Sequence, residues 1–156
     1  MLQNRGFTLI EIVIYLALFS LVLAGFILVT YNLVQGSAQV QSKAVLNEEM
    51  AFLLHKIDWA LTGAESSQVT VVSPSVLQIT KPSLLLIFTF DSGAKTLSLQ
   101  RGLLPIVLLS SASVAVTNLT FTELSPVGGR KGIKTEITLT NLGESQTDSS
   151  TKYLRL

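Results

Sequence analysis

The stretch that most limits what this chain can become runs from Phe7 to Val34, FTLIEIVIYLALFSLVLAGFILVTYNLV, in which Glu11 is the single charge. A helix needs about 20 apolar residues to cross the hydrocarbon core of a bilayer, so this segment spans with length to spare. Only 13% of the 156 residues are charged against 48% apolar, well below the charged share of an ordinary soluble domain, which fits a membrane-associated chain. Arg5 precedes the segment, whereas residues 35–42 (QGSAQVQS) carry no charge and Lys43 is the first cation after it. The positive-inside rule then predicts a cytoplasmic N-terminus and an exported remainder, with Tyr31 at the outer interface.

The apolar run is longer than a signal peptide core, and it carries a carboxylate near its start. An ionisable group within a membrane helix costs several kcal/mol unless a partner meets it, so Glu11 reads as a functional residue. Gly6 sits at the polar-to-apolar boundary. Cleavage between Gly6 and Phe7 would create an α-amine close in height to Glu11, a cation of the kind a carboxylate in a low dielectric needs.

Gly6-Phe7-Thr8-Leu9-Ile10-Glu11, followed by an unbroken apolar helix, resembles the N-terminus of the type IV pilin-like family: pilus subunits, type II secretion pseudopilins and competence pseudopilins. The resemblance covers residues 5–34 closely. It implies that Gly6 ends a leader read by a prepilin peptidase, and that Phe7 becomes an N-methylated mature terminus. It implies too that Glu11 neutralises the terminal amine of a neighbouring subunit during assembly, although i, i+4 spacing also permits pairing with the amine of its own chain. Other pilin or pseudopilin subunits and the inner-membrane assembly machinery are the implied partners. Many major pilins carry a proline within the apolar segment, yet here the first is Pro74. That tilts the reading toward a minor subunit. Gly25 and Gly36 remain as weak points, each costing about 1 kcal/mol relative to alanine.

Beyond the span, Leu46, Met50, Leu53, Leu54, Ile57 and Leu61 mark one face of a continuing helix, which Gly63 ends as a C-cap would. Residues 64–156 turn to β-branched residues, Ser and Thr, with strand candidates at 68–72, 76–80, 84–90, 95–101, 106–109, 113–123, 133–141 and 151–156. The apolar 84–90 run should be central. Asp91-Ser92-Gly93-Ala94 reads as a hairpin turn, a phase shift near Thr117-Asn118 reads as a bulge, and QTDSS (146–150) reads as a loose polar loop. The expected fold is α+β, a long N-terminal helix packed on a small antiparallel β-sheet domain. Its parts are a leader (1–6), a transmembrane helix (7–34), an amphipathic continuation (35–62) and an exported sheet domain (63–156).

Few enzyme classes survive the composition. Without cysteine there is no thiolate nucleophile, disulfide or thiolate metal site, and a single histidine rules out the usual histidine-rich zinc sets. His55 with Asp58 and Glu48 on one helix supplies too few ligands, so a solvated face is the expectation. Phe52 and Trp59 are expected to pack under the sheet or against a neighbouring subunit. Gly128-Gly129-Arg130-Lys131-Gly132 with Lys134 lacks the Lys-Ser/Thr of a phosphate loop and precedes a strand. Arg130, Lys131 and Lys134 are weak candidates for DNA phosphate contacts, and with a net charge of +1 nucleic acid is not an expected partner. No catalytic, cofactor or metal site is expected. The expected role is a filament subunit of a pilus or secretion pseudopilus, in the cytoplasmic membrane first and then in an extracellular or periplasmic filament. The alternatives are a DNA-uptake pseudopilin and a signal-anchored binding or sensory domain that never assembles.

Overall fold

A computed structural model describes residues 8–125 and 130–155. Helix α1 (Leu9–Leu61) runs for 53 residues without a break, through Gly25 and Gly36. The chain divides into two compact units, residues 1–41 and 42–156.

In the first unit, no residue of α1 whose burial is described is buried by tertiary packing. Leu21, Val22, Phe26 and Leu28 are all more than 60% exposed in the isolated chain. Three polar side chains there bond locally. Ser20 Oγ donates to the Leu16 carbonyl at 2.8 Å and Thr30 Oγ1 to the Phe26 carbonyl at 2.9 Å. Gln35 Nε2 donates to the Tyr31 hydroxyl at 2.7 Å. Hydroxyls that bond back to the fourth preceding carbonyl leave no polar group needing water, as a hydrocarbon environment demands. Among the described residues α1 is the one helix long and apolar enough to cross a membrane.

The second unit is built on the remainder of α1. Leu46, Met50, Leu53, Ile57 and Leu61 are buried along one face, as their spacing predicts, with Ala60 beside them. The helix stops at Leu61, and Gly63 takes φ +74°, the left-handed conformation that glycine adopts without steric cost. After the short 3-10 turn Ser66–Gln68 come β1 (Val69–Ser73), β2 (Val76–Lys81), β3 (Leu84–Asp91), β4 (Thr96–Arg101) and β5 (Val107–Leu108). They form one antiparallel sheet in chain order, with β3 in the middle as its apolar run predicts. The β3–β4 turn is closed by Asp91 Oδ1, which accepts from the N–H groups of Gly93 and Ala94 at 2.8 and 3.0 Å.

A second antiparallel sheet follows, of β6 (Ala115–Leu124), β7 (Gly132–Asn141) and β8 (Glu144–Tyr153), again in chain order. The bulge falls between Val116 and Asn118. Along β7, Ile133, Thr135, Ile137 and Leu139 are buried while Lys134, Glu136, Thr138 and Thr140 face the wetter side. The last strand corrects the sequence reading. It begins at Glu144 rather than residue 151, and QTDSS lies inside it, fully paired with β7. Leu142 and Gly143 take φ +49° and +85°, both positive, as a two-residue hairpin turn requires. A polar strand with no apolar alternation is invisible to periodicity, and only its pairing with β7 reveals it.

One core joins the helix face to both sheets, centred on Phe88, Leu77, Leu86, Leu119 and Ile137. The sheets are laced together by the Phe121 N–H on the Pro74 carbonyl (2.8 Å) and the Val116 N–H on the Lys95 carbonyl (2.9 Å). The chain end returns to the start of the unit, where the Arg155 N–H bonds the Ala64 carbonyl at 3.1 Å and the Ser66 N–H bonds the Arg155 carbonyl at 2.9 Å.

Candidate functional site

Glu11 lies in the first turn of α1 and is partly buried, whereas Leu9, Ile10 and Ile12 are 82%, 69% and 54% exposed. The turn opens at Thr8, whose carbonyl accepts from the N–H of Glu11 at 3.1 Å and of Ile12 at 3.3 Å. Free N–H groups at a helix start carry partial positive charge, so a carboxylate there gains about 0.3–1 kcal/mol. That offsets part of the cost of placing it in an apolar segment. Gly6 and Phe7, the two residues of the expected cleavage site, lie outside the described residues. Just beyond Glu11, Ile12, Tyr15, Leu16 and Phe19 fall at i, i+3, i+4 and i+7 and line a shallow apolar groove. The helix thus presents a carboxylate at one end of an apolar stripe.

The basic loop is placed differently from its appearance in sequence. Lys131 Nζ is 2.9 Å from Glu123 Oε2 and donates to the Val69 carbonyl at 2.8 Å. Lys134 Nζ pairs with Glu136 Oε2 at 3.0 Å. Arg130 is exposed, and Gly128 and Gly129 lie outside the described residues. The carboxylates beside Lys131 and Lys134 reduce the positive field that a phosphate backbone would meet.

His55, Asp58, Asp148, Ser149 and Ser150 line a cleft of about 380 Å³ beside β8. Asp58 Oδ2 is taken by Lys152 Nζ at 3.0 Å. Among the described residues no three His, Cys, Asp or Glu side chains are arranged to hold a metal ion. Phe52 and Trp59 do not pack under the sheet: they are 44% and 52% exposed. Lys56 Nζ stands 5.6 Å from the Phe52 ring and 6.0 Å from the Trp59 ring, and the Arg101 guanidinium 5.8 Å from Trp59. The pairing of Trp59 with Arg101 escaped the sequence reading, because nothing local connects a helix residue to the end of β4.

With this geometry in view, residues 1–27 match a family model described as the prokaryotic N-terminal methylation motif. The match covers the Gly6-Phe7 junction, Glu11 and the first part of α1. It supports a type IV pilin-like protein that prepilin peptidase processes and that α1 anchors in the membrane. Neither curated proteins nor solved structures match the chain.

Proposed function

We infer that this chain is a structural subunit of a type IV pilus-like or type II secretion pseudopilus filament rather than an enzyme. In this reading the chain is cut between Gly6 and Phe7, methylated at Phe7, held in the cytoplasmic membrane with its C-terminal unit outside, and then assembled through α1. The observation that carries it is the register: residues 1–27 match the methylation motif, and within that match Glu11 follows the Gly6-Phe7 pair in sequence and stands in the first turn of an apolar helix. Moving such a helix from lipid into a bundle of like helices changes little hydrophobic energy. Direction and register must then come from close packing and from a charge pair, which Glu11 and the Phe7 amine of a neighbouring subunit supply. The unbroken passage of α1 through residues 9–61, with no proline in its span, favours a minor subunit.

Mass spectrometry of the membrane-extracted chain, expressed with an active prepilin peptidase, tests processing. Loss of residues 1–6 with an N-methylated Phe7 is expected, and an intact Met1 would return the chain to a simple anchored domain. Glu11→Val is expected to insert into the membrane normally and to fail in filament assembly. Normal filaments from that variant would remove Glu11 from the mechanism.

A further inference from the structure

An open sheet ends in strands whose outer N–H and C=O groups have no ladder partner, and proteins keep such edges short, bulged or covered. Among the described residues, three of the four sheet edges follow that rule. β5 is two residues long, and β1 is five with a register shift between Val71 and Ser73. β6 is bulged, and its Phe121 and Val116 N–H groups are taken by Pro74 and Lys95 of the first sheet's turns. β8 breaks the rule. It has ten residues, no proline, and an unbroken register with β7 from Glu144 to Tyr153.

The hydrogen bonds at the end of β8 show which of its groups are open. The Leu154 N–H bonds the Lys131 carbonyl on the β7 side, whereas the Arg155 N–H points the other way, to Ala64. Antiparallel ladders alternate in this manner, so the N–H and C=O groups of Ser145, Thr147, Ser149 and Thr151 point away from β7. The Ser149 N–H is met by Asp148 Oδ1 at 2.7 Å, but those of Ser145, Thr147 and Thr151 meet no partner among the described residues. Only the far end of the edge is closed, where Glu65 forms a parallel bridge with Arg155. Along the open stretch runs the cleft that Ala51, Leu54 and His55 wall from the helix and Asp148 from the strand. Even-numbered side chains of β8 turn toward that helix: Gln146 Nε2 donates to Asn47 Oδ1 at 2.7 Å, and Lys152 reaches Asp58. A strand added to this edge has every second side chain turned under α1.

We propose that the β8 edge accepts an extended segment of a partner polypeptide as a fourth, antiparallel strand of the second sheet. Free donors and acceptors recurring at every second residue are the complement of another strand's backbone. Asp148 sets the charge of that strand. Asp58 is neutralised by Lys152 and Glu144 lies 4.0 Å from Lys43, whereas Asp148 lines the cleft with no ion-pair partner among the described residues. The incoming strand therefore carries Lys or Arg opposite Asp148, with small or aliphatic side chains at the alternate positions that face Ala51 and Leu54. A second copy fits less well, because antiparallel self-pairing of β8 about Asp148 sets two carboxylates opposite each other. Filament assembly is not required for this contact.

The full chain in detergent micelles is titrated with a fluorescein-labelled peptide of alternating character, Ala-Thr-Val-Thr-Lys-Thr-Val-Thr-Ala, and binding is read by anisotropy. Saturable binding is expected, with amide hydrogen exchange at Thr147 and Thr151 fast in the chain alone and slow with peptide. N-methylation of the peptide's threonines removes the N–H groups that meet β8 in an antiparallel pair and should abolish binding. N-methylation of its valines and lysine, whose N–H groups point away, should leave binding intact. Asp148→Lys should weaken the peptide about tenfold and reverse the preference toward a version with glutamate in place of lysine. Ala51→Phe should block the cleft from the helix side. Both positions are exposed, and an unchanged circular dichroism spectrum confirms that the variants fold. No saturable binding at millimolar peptide, the same response to both N-methylated forms, or an unreversed charge preference overturns the proposal. So does slow exchange at Thr147 and Thr151 in the chain alone, because a second copy or α1 then already holds the edge.

Discussion

The two stretches of α1 are one helix with opposite relations to the rest of the chain. From Leu9 to Val34 the leucines are exposed on every side, and the Ser20 and Thr30 hydroxyls bond back to carbonyls of the same helix. From Ser42 to Leu61 one face disappears into a core while Phe52, His55 and Trp59 stay outside. Backbone hydrogen bonding is the same in both. What differs is the medium each apolar surface is matched to, lipid or neighbouring helices in the first and the chain's own sheets in the second. Length and hydropathy alone therefore describe the first stretch, whereas the second has meaning only with its strands attached.

Leucine truncation on either side of that divide has the largest expected contrast. Leu53→Ala, at a position with 0% exposure, should cost the second unit about 2–5 kcal/mol in chemical denaturation. Leu21→Ala, on the same helix at 73% exposure, should leave that transition unchanged. Similar losses from both would break the comparison. At the end of the packed stretch, Gly63→Ala should cost about 1 kcal/mol, because alanine resists a φ of +74°. Leu142→Asn goes the other way. This leucine is 88% exposed and held at φ +49°, so asparagine should stabilise the β7–β8 hairpin by about 0.5–1 kcal/mol, read as a higher denaturation midpoint. Smallest is the Asp58–Lys152 pair, whose side chains are about a third exposed. A double-mutant cycle there should give a coupling of about 0.5 kcal/mol that salt reduces, and a much larger value would make β8 an electrostatic anchor of the helix.

Much of the fold was legible because its signals are local. Leu46, Met50, Leu53 and Ile57 declare a helix face by spacing alone, and Ile133, Ile137 and Leu139 declare a strand by alternation. The bulge at Val116–Asn118 and the Asp91 turn are local as well. β8 was not legible, since its Ser, Thr, Gln and Asp residues take strand form only because β7 offers a free edge. The division of the strands into two sheets was equally hidden, because sheet membership is settled by partners distant in sequence. Of the candidate site, Glu11 stands out in one dimension as a charge in an apolar run. The ion pairs of Lys131 and Lys134 do not, as only the fold brings Glu123 to Lys131 and shows Glu136 turned toward Lys134.

By itself, the order of residues determined that an apolar helix begins near a glycine junction with one carboxylate in its first turn. Hydrophobic length and charge position are properties of a single segment and need no partner to be read. Tertiary structure alone decided which cations are neutralised, and that Trp59 and Arg101 share one surface. Those are distances between remote parts of the chain, and they exist only once the helix face and the two sheets have closed over a common core.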